Sequence, residues 1–160
     1  RAFDEFYNRH YAGLMRFVMA YCRDISIAED VVQDTFLKLL NFKVRLGLIN
    51  NIKNYMYSIA LNRCRDLKRI SRDEMALSDS IKSDEPSGYG DSEKGVDAKI
   101  LEKTYERLPE MQREVLLLRV KSGLSFKEIS EILHISENSA KVNYFHAVTN
   151  LKRLLEGGKK

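Results

Sequence analysis

Residues 136–146, SENSAKVNYFH, carry side chains of the types that recognise the bases of DNA. Asparagine and serine hydrogen-bond to base edges, lysine reaches guanine or phosphate, and valine methyls contact the methyl group of thymine. On a helix with Ala140 and Tyr144 facing inward, the outward side would consist of Glu137, Asn138, Ser139, Lys141, Val142, Asn143 and His146. A helix of this composition also fits an ordinary solvated face.

The residues just before this segment predict the element that would position it. Ser125 and Glu128 have the spacing of a capping box, which opens a short helix. His134 and Ile135 form the predicted turn, and Ser136 is placed to cap the next helix. Two helices joined in this way are typical of a helix-turn-helix, whose second helix enters the major groove. A plain helical hairpin is the alternative.

A further helix is predicted ahead of this pair. Pro109 is expected at its first position, with Glu110 in the first turn, where a carboxylate is favourable. Gly123 is expected to end it. Strand signals are weak throughout the chain, so helical periodicity predicts an all-α protein.

The amino-terminal part is predicted to contain three helices. Apolar residues at helical spacing indicate the first over about 3–21. Ser26 and Glu29 have capping-box spacing, which predicts a second helix to about Leu40. Its inward residues would be Val32, Phe36, Leu39 and Leu40, and its outward residues Asp30, Gln33, Asp34 and Lys38. After a loop over 42–53, a third helix over 54–70 would face inward with Met56, Ile59, Ala60, Cys64 and Leu67.

The predicted third helix is basic and has aromatic residues near its start. Its cations are Arg63, Arg65, Lys68 and Arg69, and its aromatic residues are Tyr55 and Tyr57. Such a mixture suits single-stranded nucleic acid, because bases stack on the rings and phosphates pair with the cations. A normal charged helix face is the alternative, and composition alone favours it.

An acidic segment separates the two helical parts. Residues 71–98 contain eight acidic and three basic residues, a net charge of −5, whereas the whole chain is at +4. The remainder therefore carries +9, from +4 minus −5. The segment contains too little periodic apolar surface to offset the entropy of ordering it, which predicts a flexible linker. The predicted organisation is two small basic helical domains, 1–70 and 99–160, joined by an acidic linker.

Several functional classes lack support in these residues. We find no glycine-rich phosphate loop, HExxH or GxSxG motif, and no residue pair at metal-ligand spacing, so neither an enzyme nor a cofactor is predicted. Cys22 and Cys64 lack CxxC spacing, which fits a reducing cytosol. No secretory signal or membrane-spanning run is visible. The first residue is Arg1 rather than methionine, so the sequence does not establish the native start.

Three segments resemble, in order, the extracytoplasmic-function (ECF) group of bacterial RNA polymerase sigma factors. Residues 28–40, AEDVVQDTFLKLL, are similar to the helix of that family that binds core polymerase. Residues 54–69, NYMYSIALNRCRDLKR, resemble the helix beside the loop that recognises the −10 element. Residues 108–155 resemble the domain that recognises the −35 element. The resemblance implies a cytoplasmic protein that directs promoter recognition and DNA melting, with core RNA polymerase, promoter DNA and an anti-sigma factor as partners.

The resemblance also implies roles for individual residues. Polymerase binding would fall to Asp30, Gln33, Asp34, Leu37 and Lys38. Contacts with the single-stranded −10 element would come from Lys43, Arg45, Asn50, Asn51, Tyr55, Ser58, Asn62 and Arg63. Contacts with the −35 duplex would come from Ser136, Glu137, Asn138, Ser139, Lys141, Val142, Asn143 and His146.

Some positions depart from the usual pattern of the family. His134 occupies a turn position where glycine is common, and it costs more there if the backbone needs a positive φ. Tyr55 replaces a common tryptophan, and Ser58 and Leu61 replace frequent arginines, which removes phosphate contacts. Asn143 replaces another frequent arginine and implies a different −35 preference.

Two other functional classes compete with the sigma-factor hypothesis. A helix-turn-helix regulator would bind duplex DNA without replacing the polymerase subunit, but it would have no reason to carry a polymerase-docking helix. An enzyme acting on nucleic acid would need a metal cluster or a nucleophile, and the sequence indicates neither.

Overall fold

The structure, a computed structural model, describes residues 2–41, 51–77 and 95–157. For residues 95–98 only the backbone is described. These residues form seven α-helices and no strand. Contacts divide the chain into two compact units, Arg1–Tyr89 and Gly90–Lys160. The prediction of an all-α protein is therefore confirmed. No helix in the described ranges is both long and apolar enough to cross a membrane.

Three helices pack together in the first unit: α1 (Ala2–Cys22), α2 (Ile25–Asn41) and α3 (Ile52–Leu77). Their buried residues recur at helical spacing, so each helix turns one apolar stripe toward the other two. The fully buried side chains include Leu14, Phe17, Val18, Ala28, Met56 and Ala60. Leu40, predicted to face inward, is instead 42% exposed, because Ala28, Val31 and Thr35 complete the buried side of α2. The Thr35 hydroxyl is satisfied there by donating to the Val31 carbonyl, at 2.7 Å.

The connection between α1 and α2 differs from the predicted one. Arg23 adopts a left-handed conformation (φ 58°) and donates its N–H to the Met19 carbonyl. The Asp24 carboxylate then accepts from the N–H groups of Ser26 and Ile27, at 2.9 and 3.2 Å. Asp24 is therefore the N-cap of α2, and the predicted capping box at Ser26 and Glu29 was wrong. A carboxylate at this position also interacts favourably with the helix dipole.

Helix α3 is longer than predicted at its carboxyl-terminal end. Asn51 caps its start, accepting from the Asn54 N–H at 3.0 Å. The helix continues through residues 71–77, which were assigned to the flexible linker and are all exposed. This stretch, SRDEMAL, contains the helix formers Arg, Glu, Met, Ala and Leu, whose propensity accounts for the continuation. Residues 78–94, the rest of the predicted linker apart from 95–98, lie outside the described residues.

Four helices form the second unit: α4 (Gly95–Glu106), α5 (Glu110–Ser122), α6 (Phe126–Leu133) and α7 (Glu137–Gly157). Helix α4 was not predicted, and its first residues fall within the range assigned to the linker. Its buried Thr104 and Tyr105 face the rest of the unit. Helix α5 is the most buried element, because Val115, Leu116, Leu117, Leu118 and even Glu114 are at most 2% exposed.

The ends of α5, α6 and α7 are set by local backbone and side-chain interactions. Pro109 is the N-cap of α5 rather than its first helical residue, with ψ 147°. Gly123 ends α5 in the left-handed conformation, as predicted. Ser125 and Glu128 form the predicted capping box, with bonds of 3.1 and 3.0 Å. The predicted Ser136 cap is also present, since its hydroxyl accepts from the Ser139 N–H at 2.9 Å.

His134 occupies the turn between α6 and α7 with a positive φ, at φ 57° and ψ 44°. This conformation lets the Ile135 N–H bond to the Ser130 carbonyl at 3.1 Å and close the end of α6. The left-handed region is unfavourable for a residue with a Cβ atom, so the turn is formed at a conformational cost.

The cap of α2 gives a first prediction. Replacing Asp24 by Ala should destabilise α2 by about 1 kcal/mol and speed exchange of its amide hydrogens about fivefold. Ser26→Ala is the matched control, because the Ser26 side chain contributes no cap. Hydrogen–deuterium exchange of the full-length protein measures both variants. Equal effects at the two positions would contradict Asp24 as the cap.

The turn at His134 gives a second prediction. His134→Gly should stabilise the second unit by about 0.5–1 kcal/mol, because glycine adopts the left-handed conformation without a Cβ clash. The opposite control is Gly123→Ala, where φ is +66° and a Cβ would meet nothing within 4 Å, so only backbone strain is added. Exchange in α6 and α7 should slow in the first variant and accelerate in the second. Unchanged exchange in both would show that strain in these turns is negligible.

Candidate nucleic-acid interface

The predicted polymerase-binding residues lie on one exposed side of α2. Asp30, Gln33, Asp34, Leu37 and Lys38 are all exposed. The buried side, which includes Val31, Val32 and Leu39, faces α1 and α3. Leu37 is 55% exposed, and Leu40 extends the same surface at 42%. The α2 surface, defined as Asp30, Gln33, Asp34, Leu37, Lys38 and Leu40, thus combines exposed apolar side chains with charges.

Part of the predicted −10 interface lies on the side of α3 that faces away from the core. Tyr55 and Ser58 are half-buried, whereas Asn62 and Arg63 are exposed. Their spacing of three, four and one residues keeps them on one side, opposite the buried Met56, Tyr57, Ala60 and Cys64. The Asn51 side chain already caps α3, which leaves part of its amide for other contacts. Lys43, Arg45 and Asn50 lie outside the described residues.

The eight predicted −35 residues divide into three groups. Asn138, Val142 and His146 recur every four residues and are exposed, so they form one outward row. Glu137 and Lys141 lie to one side of this row, with a distance of 4.0 Å between Nζ of the lysine and Oε1 of the glutamate.

Three other predicted −35 residues are engaged by the start of α7 itself. Ser136 is committed to the N-cap. Asn143 is half-buried and donates its amide to the Ser139 carbonyl at 2.9 Å, with the Ser139 hydroxyl at 3.3 Å. The amide oxygen of Asn143 is the part of this side chain left for recognition. The outward row is therefore the better geometric candidate for base contacts.

The sequence interpretation missed exposed residues of α7, among them Phe145 and Thr149. Phe145 is 69% exposed, and Thr149 is also exposed. Both lie beside the outward row, since Val142, Phe145, His146 and Thr149 are spaced by three, one and three residues. The ring of Phe145 also contacts His146 edge-on, at 6.2 Å between centroids. Their spacing from the buried Ala140 and Ala147 was the available signal.

The position of α7 is fixed by packing on α5 and α6. Ala140 and Ala147 are fully buried, and their small side chains permit the close approach of the helices. The Arg119 guanidinium lies 4.6 Å from the centroid of the Phe126 ring, which meets the Tyr144 ring edge-on at 5.5 Å. The Asn150 amide donates to the Gln112 side-chain oxygen at 2.8 Å. These contacts hold the opposite side of α7 against α5 and α6 and leave the outward row exposed.

The described residues contain no group of three histidine, cysteine or acidic residues close enough together to hold a metal ion. Burial raises the pKa of Tyr105, which is a packing residue of α4 beside α7.

Comparison with known proteins gives matches over both units. Residues 6–73 match the family model for sigma-70 region 2, and residues 98–151 match that for sigma-70 region 4. The RNA polymerase sigma factor SigZ of Bacillus subtilis strain 168 is 30% identical over 154 residues, covering 96% of this chain and 87% of the relative. The ECF RNA polymerase sigma factor SigM of the same strain is 29% identical over 157 residues, covering 97% and 96%.

A solved structure has the same fold. The sigma factor RpoE of Bartonella quintana, determined in complex with the anti-sigma factor NepR, superposes with a TM-score of 0.71. The identity is 24%, and the match covers 95% of this chain and 97% of that one. Region 2 matches the unit that carries the α2 surface, and region 4 matches the unit that carries the helix-turn-helix. The chain belongs to the ECF group of the sigma-70 family, the subunits that bind core RNA polymerase and confer promoter recognition on it.

Proposed function

We propose that the two units divide promoter recognition between them. Residues 1–70 bind core polymerase and the −10 element, residues 99–160 bind the −35 element, and residues 71–98 connect them. The observation that carries this proposal is the outward row of α7, whose polar and apolar side chains are exposed on a helix that buries Ala140 and Ala147 on its opposite side. The chain has no catalytic activity of its own in this proposal and acts in the cytoplasm with the polymerase.

The α2 surface is better suited to a protein partner than to DNA. Asp30 and Asp34 would repel phosphates, whereas exposed Leu37 and Leu40 gain free energy when another protein covers them. Charges around an apolar centre also favour one orientation of the partner. We infer that this surface docks on the clamp helices of the largest polymerase subunit.

The outer side of α3 is suited to unpaired DNA. Tyr55 supplies an aromatic face for stacking, Asn62 supplies amide groups for a base edge, and Arg63 supplies a cation for phosphate. Together with the loop that carries Lys43, Arg45 and Asn50, it would bind the non-template strand of the −10 element. Binding the unpaired strand favours opening of the duplex, which is how the protein would promote melting.

The outward row of α7 is suited to the major groove of the −35 duplex. The Asn138 amide can form two hydrogen bonds with adenine, and Val142 can contact a thymine methyl. Lys141, beside the row, is placed to reach a phosphate. Phe145 enlarges the apolar part of this surface beyond the predicted residues.

We further propose that an anti-sigma factor regulates this chain by covering these binding surfaces. The support is the shared fold with RpoE, whose solved structure is a complex with an anti-sigma factor.

Transcription in vitro tests the proposed function and the α2 surface together. Core polymerase from the same organism, fragmented genomic DNA and this protein should give discrete RNA 5′ ends that require the protein. Asp34→Arg should lower polymerase affinity tenfold or more, because it reverses a charge within the contact. A tenfold loss corresponds to about 1.4 kcal/mol of binding free energy. Core binding is measured in parallel by competition with a labelled wild-type protein.

The matched control is Glu156→Arg, which makes the same charge change at the exposed end of α7. It should retain core binding and transcription. Absence of protein-dependent starts with an active core would refute the sigma function. Equal loss in both variants would refute the α2 surface while leaving that function intact.

Once the −35 motif is mapped, α7 gives a further prediction. Asn138→Ala should weaken holoenzyme binding by about 1–3 kcal/mol on the preferred sequence and relax selectivity at one base pair. Lys141→Ala should weaken binding on all sequences alike and lower the slope of log K against log salt by about 1. Equilibrium binding to a panel of duplexes at several salt concentrations measures both. The roles would be contradicted if Asn138→Ala weakened binding on all sequences alike and Lys141→Ala changed selectivity at one base pair.

A further inference from the structure

The only two cysteines of the chain meet between α1 and α3. Cys22 is the last residue of α1, Cys64 lies in α3, and their Sγ atoms are 3.6 Å apart. Neither is in a disulfide. The two positions are separated by 42 residues, so the contact is a product of the tertiary fold. A short approach of the two sulfur atoms, from 3.6 Å to about 2.05 Å, would allow a bond between them.

The two thiols differ in exposure and in electrostatic surroundings. Cys64 is 1% exposed, whereas Cys22 is partly exposed to solvent. A hydrogen bond with Cys64 lowers the pKa of the Cys22 thiol, and the charge of Lys68 lowers it further, against opposing effects of burial and of Asp24. Lys68 is held nearby, with its Nζ 5.2 Å from the centroid of the Tyr21 ring. Cys22 is therefore the more accessible sulfur and has a raised thiolate fraction, and the Cys64 sulfur is in contact with it.

We propose that Cys22 and Cys64 form a peroxide-sensitive dithiol that closes reversibly into a disulfide joining α1 to α3. The Cys22 thiolate attacks one oxygen of a hydroperoxide, the O–O bond breaks, and Cys22 becomes a sulfenic acid while hydroxide or an alkoxide leaves. The Cys64 sulfur then attacks the Cys22 sulfur, the S–O bond breaks, and water leaves. Two thiols lose two electrons in total, and the peroxide gains them.

Packing alone does not account for this pair as well as a reactive role does. A structural cysteine acts as a small apolar side chain and needs neither a thiolate-stabilising cation nor access to solvent. Cys22 has both a nearby cation, Lys68, and partial access to solvent. The thiol of Cys64, which would resolve a sulfenic acid at Cys22, is in contact with it. The pair lies on the inner side of α3, away from Asn62 and Arg63, so the dithiol is independent of the polymerase and DNA assignments.

Oxidation of the full-length protein by hydrogen peroxide tests the proposal. The reduced protein is treated, alkylated under denaturing conditions, and analysed by intact mass and non-reducing peptide mapping. We expect an intramolecular Cys22–Cys64 disulfide, a mass loss of about 2 Da, and reversal by dithiothreitol. Closing this loop should also raise the melting temperature of the first unit by about 10 °C or more, because it restricts the unfolded chain.

Three variants separate the roles of the groups. Cys64→Ala should form a Cys22 sulfenic acid that dimedone traps, more slowly than the wild type because the hydrogen bond to Cys22 is lost, with no rise in melting temperature. Cys22→Ala should leave Cys64 nearly unreactive in the folded protein. Lys68→Met, which keeps an apolar side chain of similar length, should slow oxidation severalfold without preventing it. Thermal unfolding of each reduced variant verifies that it is folded.

Specific outcomes would overturn the proposal. One is a folded wild-type protein that forms no intramolecular disulfide under conditions that oxidise a small thiol. Another is equal reactivity of Cys22 and Cys64 toward peroxide. A disulfide that forms only between molecules would also overturn it.

Discussion

Helix α6 has only eight residues, too few for a stable helix in water, so the orientation of α7 depends on the interactions that hold α6 in place. The Ser125 and Glu128 box satisfies the amide groups at its start, and the left-handed turn at His134 closes its end. Ile129, Ile132 and Leu133 bury its inner side, and Phe126 connects it to both neighbouring helices. The outward side of α7 needs no stabilising contacts of its own, which leaves it available for DNA.

Helices of the first unit likewise have one side packed in the core and one side exposed. Helix α2 buries Val31 and Leu39 while leaving Leu37 and the acidic residues exposed. Helix α3 buries Cys64 on the side opposite Asn62. The proposed binding surfaces and the core can therefore change separately, because a substitution on the outer side alters few packing contacts. Residues such as Leu40, at the boundary between the sides, are where sequence patterns are least decisive.

Local motifs in the sequence predicted the second unit well, because the Ser125 box, the Ser136 cap and the Gly123 terminus depend on residues three or four apart. The cap of α2 was misassigned because Asp24 and Ser26 are both good capping residues, and only the backbone at Arg23 decides between them. Phe145 was missed although its spacing from Ala140 and Ala147 places it on the outward side of α7, because phenylalanine is among the residue types most often buried. Residues 71–77 were assigned to the linker because the acidic composition of 71–98 was given more weight than the helix propensity of these residues. The roles of the individual site residues stay predictions, including those of Lys43, Arg45 and Asn50 outside the described ranges.

The exposed end of α3 has a mechanical consequence. Residues 71–77 are helical but have no buried side chain, so their helix is propagated from the packed part and unwinds from its tip at little cost. As helix, this stretch spans roughly 10 Å at 1.5 Å per residue. As extended chain, it spans up to about 24 Å. The end-to-end length of residues 71–77 is therefore adjustable, and whatever stabilises or melts the last turns of α3 shortens or lengthens this segment.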